Sequence, residues 1–179
     1  VHPIEKKPEL NLELSWHFIC VHLPFHLWQK CIFFALIDPM QIERSDYIVT
    51  VPDGCTVDPE DADIDYDHYT CINLGAGGTL IILVNDDVKG GGKEFETLRN
   101  SYHKKLKDPT ELPSDLFATR GNTAMIVAGK LDGMHWCFEF GLIEGREKAF
   151  ILTGSYLQNH PEEGRPILQG AVETFVIKE

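Results

Sequence analysis

With 179 residues, 43% of them apolar and 10% aromatic, the chain can bury one domain-sized core but is short for two. Sixteen Lys and Arg against 28 Asp and Glu leave a formal charge of −12, which repels phosphate backbones and anionic membranes, so nucleic acid is set aside and a basic protein surface is the expected complement. The five cysteines, Cys20, Cys31, Cys55, Cys71 and Cys137, are odd in number and form no C-x-x-C pair, which fits a reducing, cytoplasmic compartment better than a disulfide framework or a zinc knuckle. The alternative is an exported form in which Cys55 and Cys71, on either side of one acidic loop, are bridged.

In chain order, residues 1–15 mix charge and apolar character around Pro3 and Pro8 and predict a lead-in or a strand at Leu10–Leu14. Trp16 to Ile37 is long enough to span a bilayer, but His17, His22, His26, Gln29, Lys30 and Pro24 argue against a span. Leu27–Leu36 is read instead as a buried helix, with Pro24 near its start and Pro39 at its end. Residues 1–46 are thus an N-terminal extension with an apolar helix, and residues 47–179 form the domain proper.

Tyr47–Val51 reads as a short β-branched strand stopped by Pro52-Asp53-Gly54. After an acidic loop, Tyr69–Leu74 and Thr79–Asn85 read as strands joined through Gly75-Ala76-Gly77-Gly78, most simply a hairpin. Gly90-Gly91-Gly92 is expected to be a turn that opens a surface helix, whose apolar stripe is Phe95, Leu98, Tyr102 and Leu106. Pro109 and Pro113 then predict a loop.

The strongest pattern follows. Met134, Trp136, Phe138, Phe140 and Leu142 alternate with His135, Cys137 and Glu139, so the apolar set lies on one face of a strand and the polar set on the other. Thr123–Leu131 and Glu147–Ser155 flank it across Asp132-Gly133 and Glu144-Gly145-Arg146, which predicts a three-stranded antiparallel meander. A terminal helix begins at Pro161 with Glu162 and Glu163 in its first turn, and buries Ile167, Leu168, Ala171, Val172, Phe175 and Val176. The order gives an α+β class, an antiparallel sheet of about six strands with packed helices.

Tyr47–Gly54, the helix Gly92–Leu106, the meander, and the ending from Ala149 through Pro161 to Val176, with Ile167, Leu168, Val172, Thr174 and Phe175, together resemble the PsbP-like superfamily. That superfamily includes the photosystem II extrinsic protein PsbP, the Ran-binding nuclear import factor of the same fold, and bacterial DcrB-like proteins. The chain departs from it at Cys55, where members often carry Trp. The resemblance covers residues 47–179 and implies an α/β/α sandwich and a binding or assembly protein without chemistry of its own.

The candidate sites follow from residue type. Asp58, Asp61, Asp63, Asp65 and Asp67 crowd one loop, which suggests either a docking surface for a basic partner or calcium. The EF-hand spacing fails, however, where Tyr66 replaces the turn glycine and Ile72 the bidentate glutamate, so no cofactor is assigned. His135 and Glu139, with Lys130 across a two-residue hairpin from His135, form a polar sheet face that needs water or a ligand to satisfy it. The expected function is therefore a non-enzymatic protein-binding module such as an assembly factor, adaptor or chaperone-like partner. The alternative is a metal-binding protein or metal-dependent hydrolase using the acidic loop or the His135, Cys137 and Glu139 face.

Overall fold

A computed structural model describes residues 39–58, 68–75, 78–116 and 123–178. The chain runs through β1 (Pro39–Glu43), β2 (Tyr47–Pro52), β3 (Thr56–Val57), β4 (Tyr69–Gly75), β5 (Gly78–Asn85), α1 (Val88–Lys105), β6 (Lys107–Pro113), β7 (Thr123–Leu131), β8 (Met134–Glu144), β9 (Ala149–Leu157), α2 (Pro161–Thr174) and β10 (Val176–Ile177). The class is α+β as expected, but the strands divide into a seven-stranded sheet, β3-β4-β5-β9-β8-β7-β6, and a three-stranded sheet, β1-β2-β10. Every recorded pairing is antiparallel.

The meander forms with the expected register. Met134 faces Leu131 and His135 faces Lys130 across a turn in which Asp132 (φ 50°) and Gly133 (φ 86°) are both left-handed, the backbone of a type I′ hairpin. The alternation of β8 is also kept. Phe138, Phe140 and Leu142 pack with Phe95 under α1, while Cys137 and Ile143 join the second core with Leu168, Ala171 and Val172 of α2. That second core also receives Tyr47, Val49 and Val51 of the small sheet. Phe175 stacks on Tyr47 at 5.2 Å between ring centroids and meets Phe150 edge-on at 5.5 Å, which joins the end of α2 to both sheets.

Three expectations are corrected. Gly90-Gly91-Gly92 is not a turn but lies within α1, whose N-cap is Asp87; the Asp87 carboxylate accepts from the backbone N–H groups of Lys89 and Gly90. Lys107–Pro113 is an edge strand rather than a loop, because its two prolines and the irregular step between Lys107 and Thr110 suit a strand paired on one side only. Val176 belongs to β10, not to the helical stripe, and is exposed.

Gly91 is helical for a packing reason, since a Cβ there would collide with Cβ of Ala149 on β9. From the other face, a Cβ on Gly154 of β9 would collide with the Leu168 side chain of α2. Every residue of β9 but the last is buried. Among the described residues, no helix is long and apolar enough to cross a membrane. The apolar segment 16–37 and the rest of residues 1–38 lie outside the described residues, whereas Pro39–Glu43, within the expected extension, forms β1 and pairs with β2.

Replacing Gly154 by Ala should force α2 away from β9 and cost about 1–3 kcal/mol of stability. Gly92→Ala, where an added Cβ meets nothing within 4 Å, should instead stabilise by about 0.5–1 kcal/mol. Urea unfolding of both variants checks the contrast.

Candidate functional site

The polar face of β8 does two different things along its length. Glu139 stands opposite Ile126 of β7 and Gly154 of β9, and is 0% exposed. Its carboxylate accepts from the Ser114 hydroxyl, from the Tyr156 hydroxyl at 3.1 Å, and from Nε and a terminal nitrogen of Arg165, each at 3.3 Å. Arg165 reaches down from the second turn of α2 and also pairs with Asp115. The Ser114 hydroxyl in turn accepts the Leu116 N–H, at 3.1 Å. A carboxylate this deep is tolerated because several donors replace its water shell and an opposite charge faces it.

The pKa directions follow from these contacts. Burial, then the neighbouring Glu139 charge, pushes the Tyr156 phenol well above its usual range, so it remains a donor. The Arg165 side chain, by its hydrogen bond and its charge, holds the Asp115 carboxyl below the ordinary carboxylate range.

His135 and Lys130 are placed elsewhere. They are register partners at the end of the hairpin, both exposed, and line a groove of about 280 Å³ with Lys107, Asp108, Thr110, Leu112, Ala128, Gly129 and Gln158. The structure therefore brings His135 and Lys130 together and sends Glu139 inward. Asp58 is exposed, and its backbone N–H bonds to the Cys71 carbonyl at 3.0 Å. Asp61, Asp63, Asp65 and Asp67 lie outside the described residues.

Thiol chemistry finds no support at these positions. Cys55, Cys71 and Cys137 are free. Cys55 sits in the core beneath α2, whereas Cys71 touches Asp58 and Tyr69 on the other face of the sheet, so the bridge considered between them does not form. Burial and the Asp58 carboxylate push the Cys71 thiol up to about 11, and burial also raises Cys55 and Cys137, which keeps all three protonated near neutrality. His135, Cys137 and Glu139 do not converge on one point. Among the described residues, the one set of three ligand-bearing side chains whose metal-ligand atoms lie within 4.8 Å of one another is His160, Glu162 and Glu163, all on the surface.

A second polar network closes the opposite end of the sheet. Lys148 pairs with Asp46 at 2.8 Å and Asp86 at 3.0 Å, and Asp86 pairs with His68 at 2.9 Å. The His68 and Lys148 hydrogen bonds hold the Asp86 carboxyl below its usual range. These residues and Arg146, Lys178 and Ile177 surround or adjoin a groove of about 330 Å³ whose charged groups are largely engaged with one another.

No protein-family model and no curated protein sequence matches the chain. Solved structures do. A point mutant of the protein Mog1 superposes with a TM-score of 0.52 at 11% identity, covering 79% of this chain and 96% of that one. The chain has the PsbP/Mog1 fold. LpqN of Mycobacterium tuberculosis, described as involved in cell envelope biogenesis, is similar at a TM-score of 0.48 and 14% identity over 84% of this chain and 96% of its own. CyanoP, the PsbP of Synechocystis sp. PCC 6803, is similar at 0.48 and 9% over 80% and 94%. The match to Mog1 shows a shared fold alone and leaves the site to be argued from this chain's residues.

The sequence pattern missed Arg165, Tyr156 and Ser114 as partners of Glu139. An Arg four residues into a helix that opens with Pro161 was the available signal, but nothing local pointed it at β8. Arg165→Met should destabilise the protein by about 3 kcal/mol, because it leaves a buried carboxylate without its cation. Adding Glu139→Gln to Arg165→Met should recover most of that loss, as read by urea unfolding at pH 7.

Asp86 has a folded pKa below its unfolded one, so its pairing contributes stability above the ordinary carboxylate range and loses it as pH falls through the lowered value. Asp86→Asn should therefore flatten the fall of Tm between about pH 5 and pH 2 relative to the unaltered protein.

Proposed function

We propose that this protein is a non-enzymatic protein-binding module of the assembly-factor or adaptor kind, and that its contact face is the end of the main sheet bearing Lys130 and His135. One observation carries the reading. Of the polar residues on the outer hairpin, Glu139 is consumed by an internal network, whereas Lys130 and His135 are exposed side by side on an open groove. A polar pair held in register on a rigid sheet and left to solvent is the usual form of a recognition surface rather than of a reaction centre.

The absence of an activated group supports the same reading within the described residues. The thiols are held protonated by burial, Ser114 is committed to Glu139, and the His68 and His160 imidazoles pair with Asp86 and Glu162. The acidic stretch Asp58, Asp61, Asp63, Asp65 and Asp67 is assigned a second, electrostatic contact with a basic surface of the partner, in keeping with the formal charge of −12.

Affinity capture from a source lysate at low and high salt tests this. A Lys130→Ala, His135→Ala double variant should keep its Tm and lose most of the captured partner, and an Asp61, Asp63, Asp65→Asn variant should lose the salt-sensitive part. Capture unchanged in both variants would discard the surface.

A further inference from the structure

The groove at the hairpin end is lined by an ordered row of basic side chains. Lys107 of β6 faces Lys130 of β7, and Lys130 faces His135 of β8. Gln158, just past β9, donates its backbone N–H to the His135 carbonyl at 2.9 Å and continues the row. Directly paired residues of adjacent strands share a face and stand about 5 Å apart at Cβ, so two ammonium groups and an imidazole project into one space.

Such a row is costly. Like charges directly opposite one another destabilise a strand pair, and a protein with a formal charge of −12 has carboxylates to spare for neutralising them. Elsewhere they are used that way, since Arg99, Lys148, Arg165 and Lys178 all pair with Asp or Glu. No ion pair of the described residues engages Lys107 or Lys130. Asp108 lines the groove without pairing to either lysine, in a left-handed conformation (φ 51°) at the irregular step between Lys107 and Thr110. That step keeps Lys107 in line with Lys130 while re-aiming the strand beyond it.

The groove also offers apolar surface beside Thr110, Asp108 and Gln158. Ala128 lines it, and Leu112 is 47% exposed on the rim. The groove is open along its length and sits on β6, the edge strand, so its occupant is extended rather than enclosed. Pro109 and Pro113 deny β6 a continuous run of backbone donors, so a peptide is read here through its side chains and not as an eighth strand.

We infer that this groove binds an extended acidic segment of a partner protein, with carboxylates on Lys107, Lys130 and His135 and an apolar side chain against Leu112 and Ala128. The inference rests on the binding-module reading and specifies the chemistry of its partner. Charge complementarity selects the occupant, since separate point charges spaced along three strands match a string of carboxylates.

The probe is a fluorescein-labelled peptide of alternating Glu and Leu, titrated into the full chain at low salt and followed by anisotropy and amide NMR. The expected result is saturable binding with shift changes centred on Lys107, Thr110, Lys130, His135 and Gln158. Binding should weaken about tenfold for Lys107→Glu with Lys130→Glu, and stay unchanged for Lys93→Glu, which alters net charge on the exposed surface of α1. A peptide with Lys in place of Glu should not bind. Full displacement by millimolar inorganic phosphate, or equal weakening by Lys93→Glu, would overturn the peptide site in favour of a simple anion site or bulk electrostatics. If the acidic peptide fails to bind while Lys130→Ala, His135→Ala still abolishes partner capture, this inference falls and the module reading stands; if both experiments fail, both fall.

Discussion

The structure depends on how closely two helices approach one strand. β9 lies between α1 and α2, and on each side a missing side chain admits the helix: Gly91 of α1 over Ala149, and Gly154 of β9 under Leu168. Gly164 of α2 repeats the arrangement, because a Cβ there would press on Cβ of Tyr156 at 2.8 Å. Interiors are packed densely enough that one methyl at such a contact displaces a whole element. With α2 seated at this depth, Arg165 reaches Glu139, the cross-strand partner of Gly154.

Two consequences follow for the polar residues. Glu139 is drawn into a network with Tyr156, Ser114 and Arg165, which ties the segment after β6 and the helix α2 to the sheet. Buried ionic networks of this kind add little net stability against apolar packing of the same shape, but they penalise any arrangement that leaves one member unpaired, and so they specify a single docking of α2. His135 and Lys130 lie beyond the end of that helix's cover and remain available. The same strand face therefore holds a buried structural carboxylate and an exposed polar residue, His135, beside Lys130.

Charge is distributed along the sheet as well. Asp46, Asp86, Asp87, Glu144 and Glu147 gather at the end where α1 begins, while His103, Lys104, Lys105, Lys107, Lys130 and His135 gather at the end where it finishes. The basic last turn of α1 complements the helix dipole, and the cations of the groove extend that patch onto the sheet. Strands of about nine residues separate the two ends by roughly 30 Å, beyond a Debye length at physiological salt, so the ends act on a partner independently. An acidic protein can in this way present a locally basic site.

How much was legible in the sequence depended on how local the cause was. Alternation along β7, β8 and β9, the Asp132-Gly133 turn, the helical stripe of Phe95, Leu98 and Tyr102, and the Pro161 helix start are all set by neighbours within a few residues, and each was readable, as was Lys130 opposite His135. β1, β3 and β10 carry too few residues for a period to show, and β6 hides behind its prolines; these strands exist because a partner strand satisfies their backbone. The glycines of α1 read as turn residues because the reason for one of them, the close approach of Gly91 to Ala149, lies far along the chain. Likewise, the sequence placed Glu139 and His135 on one face but could not divide them, because burial of one and exposure of the other depends on where α2 begins. Local sterics and hydrophobic period determined the elements, and only the tertiary packing decided which polar groups were spent inside the fold and which were left to solvent.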